Sequence, residues 1–210
     1  MLFGLLFSSP QMFLIIVLAI IFALTIHEFS HALAATALGD NTAKYSGRLS
    51  LNPMVHLDLW GTLMLLLAGF GWGRPVPINP YNMRWRRYGE AAVALAGPIS
   101  NLLSVVLFVL IIKIFVPGLS PDSLLTIFLG QLLLVNLVLG VFNLIPIPPL
   151  DGSKVLFSFL PASWDDFKTK LTINGLWILI GLVILGDLTG FDVFGSIIDF
   201  FINIVGRFLS

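Results

Sequence analysis

The sequence predicts an all-α polytopic membrane protein of about five transmembrane helices, with a short re-entrant or β-hairpin region at about residues 45–80. Residues 1–210 read as a single membrane-embedded domain. Three observations carry this. Apolar residues make up 58% of the chain and charged residues only 10%, against about 25% charged in soluble proteins. Several apolar runs approach or exceed the roughly 20 residues that a helix needs to cross a bilayer. Between two of them lies a stretch crowded with glycine and proline. A water-soluble fold could not hide that much apolar surface, so lipid must cover part of it.

The first span runs from about Pro10 to Leu38. Pro10 suits a first helical turn, and Gly39-Asp40-Asn41 is a stop signal. The span is longer than a bilayer core requires, which predicts tilt or a protruding end. Residues 1–9 are apolar but too short to cross. No Lys or Arg precedes Lys44, so the N-terminus lacks the basic region of a signal peptide.

Residues 41–88 are punctuated by Gly47, Pro53, Gly61, Gly69-Phe70-Gly71-Trp72-Gly73 and Pro75-Val76-Pro77. The apolar run Leu59 to Phe70 is too short for an ordinary span. This pattern predicts strands or a re-entrant hairpin, buried in protein or lining a wet cavity. A second span follows from about Gly89 to Val116 and a third from about Leu124 to Ile145, stopped by Pro146, Pro148 and Pro149. Leu150 to Leu160 reads as a short helix. Two last stretches, about Leu171–Leu185 and Val193–Phe208, are marginal in length and either span or pack as a hairpin.

Positive charge orients these elements. Lys44, Arg48, Arg74, Arg84, Arg86 and Arg87 follow the first span, and Lys154, Lys168 and Lys170 follow the third; the turn from Pro117 to Asp122 has no basic residue. The positive-inside rule makes the first and third segments cytoplasmic and leaves the N-terminus outside.

His27-Glu28-Phe29-Ser30-His31 is the most informative segment. A helix puts His27 and His31 one turn apart on the same face, where two imidazoles bind one metal ion. Glu28 lies beside them, placed to take a proton from water. H-E-x-x-H is the zinc-metalloprotease signature. Here it sits in the cytoplasmic half of a membrane span, where ionisable residues are costly and functional by default.

A catalytic zinc takes three protein ligands and a water. With no cysteine in the chain, the third ligand must be His, Asp or Glu. Position 37, where an extended motif would place a third histidine, is Ala. Glu90 follows a run of arginines and reads as an interfacial salt partner. His56 and Asp58 lie in the punctuated region and stay open. Asp151 is the best candidate, because the charge argument puts it on the same membrane side as the histidine pair. Asp151-Gly152 alone would read as a turn.

His27-Glu28-Phe29-Ser30-His31, with Asn143-Leu144-Ile145-Pro146-Ile147-Pro148-Pro149-Leu150-Asp151-Gly152 downstream, resembles the site-2 protease family of intramembrane zinc metalloproteases. Gly47-Arg48-Leu49-Ser50-Leu51-Asn52-Pro53, Pro75-Val76-Pro77 and Ala96-Gly97-Pro98-Ile99-Ser100-Asn101 resemble it too. The resemblance implies one zinc held by His27, His31 and Asp151, Glu28 as catalytic base, and Asn143 and Asn101 lining the site as substrate-binding residues; those two also read simply as helix caps or bridges. It implies a transmembrane protein or peptide as substrate, and regulated intramembrane proteolysis as the purpose. This chain has no room for the PDZ or nucleotide-sensing domain that many members carry. It reads His56-Leu57-Asp58-Leu59 where similar members have His-x-Asp-Pro. A polytopic metal transporter using the same ligands is the alternative, separated by whether Glu28 serves only chemistry. Zero net charge and the lack of a basic stretch exclude nucleic acid as a partner.

Overall fold

The structure is a computed structural model that describes residues 2–69, 71–116, 118–190 and 192–209. Phe70 and Pro117, at the ends of two segments discussed above, lie outside the described residues, as does the side chain of Arg87. The helices run in the order α1 (Leu2–Ser8), α2 (Pro10–Ala37), α3 (Thr42–Tyr45), α4 (Leu59–Ala68), α5 (Arg86–Phe115), α6 (Leu124–Asn143), α7 (Asp151–Phe159), α8 (Asp165–Thr189) and α9 (Val193–Leu209). Short 3₁₀ turns lie at Pro53–Val55, Pro80–Asn82 and Ala162–Trp164. The architecture is all-α.

Among the described residues, four segments are long and apolar enough to cross a membrane: Pro10–Ala37, Tyr88–Phe115, Leu124–Asn143 and Ala162–Thr189. The first three match the expected spans closely. The segments agree with an all-α polytopic fold of about five spans, of which these four meet the length and composition required. The last stretch forms a helix of only 17 residues, and Ser196, Asp199, Asn203 and Arg207 recur along it at helical spacing. Its other face is apolar: Ile197, Phe201 and Val205 pack on the central core, and Phe194 meets Phe142 edge-on at 5.7 Å.

Of the two forms expected within residues 45–80, a re-entrant segment or a β-hairpin, the structure has no β-hairpin among the described residues and has a short helix instead. Among the described residues the segment has no strand, only one isolated antiparallel bridge between Leu57 and Gly73. The reason is local capping. Asp58 accepts a hydrogen bond from Gly61 N at 2.9 Å and so starts α4. Asn52 caps the preceding 3₁₀ turn through Met54 N at 3.0 Å. Gly69, at φ +83°, ends α4 in the left-handed conformation. A ten-residue helix is about 15 Å long, half a bilayer core. Buried Arg48 staples the two ends of this region, donating to the carbonyls of Val55, Arg74 and Pro75.

The centre of the molecule is a three-helix packing of α2, α5 and α6. Its buried core contains Ala19 from α2, Val105 and Phe108 from α5, and Leu129, Leu132, Leu133, Leu137 and Val141 from α6. α7 lies against α5. Outside this core, large apolar side chains such as Leu14, Leu18, Leu103, Leu107, Trp177 and Leu188 are exposed, as lipid-facing residues are.

The end of α2 is tied to the chain entering α5 by Asp40. Its buried carboxylate accepts from Thr42 Oγ1 at 2.5 Å, Asn79 N at 2.6 Å, Thr42 N at 3.1 Å and Asn82 Nδ2 at 3.3 Å. Burial alone would raise its pKa; these four bonds outweigh it and hold the carboxyl below the usual carboxylate range.

Candidate metal centre

α2 carries His27 and His31 on the face it turns toward α5, and both are buried. Their rings meet edge-on at 4.6 Å. The chain leaves α6 at Asn143, turns through residues 144–150, and begins α7 with Asp151. That turn delivers the Asp151 carboxylate to the histidine pair. Asp151 Oδ2 lies 3.1 Å from His27 Nε2 and 3.1 Å from His31 Nε2, and the two Nε2 atoms are 3.1 Å apart. No other group of three His, Asp or Glu side chains converges among the described residues.

The hydrogen bonds behind the rings decide what this triangle is. His31 Nδ1 lies 2.7 Å from the Val93 carbonyl, which can only accept, so Nδ1 carries the proton. His27 Nδ1 lies 2.7 Å from Asn101 Oδ1. The orientation of Asn101 is fixed because its Nδ2 donates to the Ala23 carbonyl at 3.0 Å. Nδ2 also donates to Asn136 Oδ1 at 2.9 Å, and Asn136 Nδ2 donates to the Leu132 carbonyl at 2.7 Å. Two backbone carbonyls therefore set the direction of the whole chain of bonds, and His27 Nδ1 also holds its proton. In the neutral rings both Nε2 atoms are lone pairs.

Two lone pairs and a carboxylate oxygen thus face one another, all buried. A proton would satisfy one pair of these acceptors, whereas a single cation at the centre satisfies all three. Zinc bonds of 2.0–2.2 Å in a tetrahedral site put ligand atoms about 3.3–3.6 Å apart, close to the spacing here. Imidazole and carboxylate suit zinc, and the outer hydrogen bonds are those that orient metal-ligating histidines. The residues fit a zinc ion.

Glu28 follows His27 on α2 and is half-buried. Among the described residues it has no hydrogen-bond partner, and it senses the charges of His27, Asp151, Arg48 and Lys154. Asn101 lies behind His27, fully buried, with its oxygen and both N–H groups in use. Asn143 is the last residue of α6, with its Nδ2 on the Leu139 carbonyl at 3.0 Å. His56 donates to the Ser50 carbonyl at 2.7 Å and Asp58 caps α4; neither joins the triangle.

Three contributors were not singled out from sequence. Asn136 was detectable as a lone amide inside an apolar helix. Gly97 stood in the Ala96–Asn101 segment that carries the resemblance, but without a role: an added Cβ there would lie 2.5 Å from His31 Nε2 and 2.7 Å from His27 Cε1, so α5 meets the rings at its bare backbone. The third, Lys154, places Nζ 3.3 Å from Asp151 Oδ1.

Fold and site together define a polytopic membrane protein with a metal centre of hydrolytic type. Comparison with known proteins agrees. The profile of peptidase family M50 matches residues 110–186. The chain is 41% identical over 174 residues to "Putative zinc metalloprotease YwhC" of Bacillus subtilis, covering 80% of each chain. It is 35% identical over 153 residues to Rip2 of Mycolicibacterium smegmatis, covering 69% of this chain and 57% of Rip2. It is 28% identical over 184 residues to MJ0611 of Methanocaldococcus jannaschii, covering 86% and 83%. No solved structure matched. The chain belongs to peptidase family M50, the site-2 protease family. It is an integral membrane zinc metalloprotease.

Proposed function

We propose that residues 1–210 act as one membrane-embedded protease domain that cleaves transmembrane segments of other proteins, as in regulated intramembrane proteolysis. In this reading His27, His31 and Asp151 hold zinc and Glu28 is the base. The observation that carries it is the buried triangle of three acceptors beside Glu28, on a helix long and apolar enough to span. Bound zinc supplies Lewis-acid polarisation and a positive charge that makes water a nucleophile near neutral pH.

The chain's own groups do the rest. Glu28 takes a proton from the attacking water as its oxygen bonds to the substrate carbonyl carbon, and the carbonyl π pair moves onto oxygen. When that pair returns, the C–N bond breaks and Glu28 gives its proton to the leaving nitrogen. The products are a carboxylic acid, which passes its proton to the amine to leave a carboxylate and an ammonium, and Glu28 is restored as a carboxylate. Asn101 serves as an orienting partner of His27 and not as a substrate contact, since none of its bonds is free. Asn143, at the mouth of the 144–150 turn, remains the candidate substrate contact.

The purified protein in detergent or liposomes should cleave a membrane-embedded peptide. A chelator should abolish cleavage, and stoichiometric zinc should restore it. Cleavage that survives complete zinc removal defeats the metal mechanism.

The active site is proposed to face the cytoplasm, on the charge distribution of the loops. Since the chain has no cysteine, Tyr81→Cys gives a unique, exposed label site. A membrane-impermeant thiol reagent should reach it only from the cytoplasmic side. Labelling from outside intact cells would reverse the orientation.

A further inference from the structure

Zinc and Glu28 account for the nucleophile and its proton. Hydrolysis also places negative charge on the carbonyl oxygen, and preorganised donors at that oxygen are among the strongest contributors to such reactions. Among the amides near the metal centre, Asn101 uses every donor, while Asn143 spends one N–H on the Leu139 carbonyl and keeps one for the substrate; neither carries a positive charge to set against the oxyanion. Two cations come into question as donors, Arg48 and Lys154. Arg48 is 5% exposed; its two terminal nitrogens donate to the carbonyls of Val55, Arg74 and Pro75, and its buried Nε is not open to a substrate.

Lys154 differs. It sits in the first turn of α7, three residues after Asp151. One long bond of 3.3 Å ties Nζ to Asp151 Oδ1, the carboxylate oxygen that does not face the histidines. That leaves two N–H donors. Its side chain is 42% exposed, while that of Asp151 is 9% exposed. The His27 and His31 side chains are equally enclosed, at 5% and 9%. Lys154 is therefore anchored on a carboxylate of the metal centre and partly open on its other side.

We infer that Lys154 is a further catalytic residue, donating from Nζ to the scissile carbonyl oxygen as that oxygen becomes negative. The inference rests on the proteolytic reading above. The step balances: the water oxygen forms the new bond to carbon, Glu28 takes the proton, and the displaced π pair rests on the oxygen held by Lys154. As that pair re-forms the double bond, the nitrogen departs with the proton from Glu28, and Lys154 is unchanged.

The test compares wild type, Lys154→Met and Lys154→Arg, purified in detergent. Zinc content, kcat and KM on a membrane-embedded peptide are measured for each. So is the inhibition constant of a phosphinic analogue of that peptide, which carries a tetrahedral anionic centre. Lys154→Met should keep about one zinc per chain and a KM within about threefold, while kcat falls by on the order of 10²–10³. Lys154→Arg, which restores a donor, should regain about tenfold or more of that loss. Affinity for the phosphinic peptide should fall in step with kcat/KM, as it does when a transition-state contact is removed. Zinc loss in proportion to lost activity would reduce Lys154 to a support of Asp151 and overturn the inference. An active wild type beside an equally active Lys154→Met would overturn Lys154 alone. An inert wild type would overturn the proteolytic reading and the role of Lys154 with it.

Discussion

Glu28→Gln is expected to keep about one zinc per chain while cleavage of a membrane-embedded peptide falls by on the order of 10²–10⁴, the usual weight of a general base. Glutamine preserves the size of the side chain and removes its capacity to take a proton. Glu28 is outside the triangle of His27, His31 and Asp151, and no hydrogen bond ties it to those residues. Its loss should therefore spare the metal. His31→Ala should lose zinc and activity together, because it removes one acceptor and leaves the other two without their shared cation. Zinc and initial rate must be measured on the same sample. A Glu28→Gln protein that cleaves at the wild-type rate defeats the assignment. A wild type that cleaves no membrane peptide, yet moves zinc across liposomes in a Glu28-dependent way, makes the protein a transporter.

The centre was legible in sequence where its residues carry rare side chains in rare places. His27 and His31 stand out because ionisable groups are costly in an apolar helix. Asp151 stood out because loop charge put it on their side of the membrane, and the structure brings it within 3.1 Å of both rings. What stayed hidden depends on partners. Asn101 read equally as substrate contact or helix bridge; only the Ala23 carbonyl and Asn136 decide which way its amide points. The glycines of residues 45–80 read as hairpin punctuation, yet Gly69 closes a helix that Asp58 opens. Lys154 counted only as loop charge, because sequence does not say which carboxylate its ammonium meets. The last stretch was left open between spanning and packing for a related reason: a mean apolar character over Val193–Phe208 does not distinguish a crossing helix from a 17-residue helix with a polar stripe.

Gly97→Ala should cost the metal centre heavily. α5 approaches the histidines so closely that the new Cβ would lie 2.5 Å from His31 Nε2, 2.6 Å from His31 Cε1 and 2.7 Å from His27 Cε1. Ordinary carbon contacts are about 3.5–4.0 Å, so the rings or the helix must move by about 1 Å. The rings cannot yield freely. His31 is held by the Val93 carbonyl, which belongs to α5 itself, and His27 by Asn101, one turn beyond Gly97 on the same helix. Pushing α5 away pulls both anchors with it, and turning a ring breaks its anchor and misdirects the Nε2 lone pair. Zinc affinity should fall by a factor on the order of 10²; losing one outer-shell partner alone typically costs 10–100-fold. Helix content and spectroscopic melting should change little, because the α5–α6 core lies further along the helices at Val105, Phe108 and Leu129–Val141. Titrating the metal-free variant with zinc against a competing chelator measures the loss directly. Wild-type affinity in Gly97→Ala, with the fold intact, would mean that the rings do not sit against the α5 backbone as described.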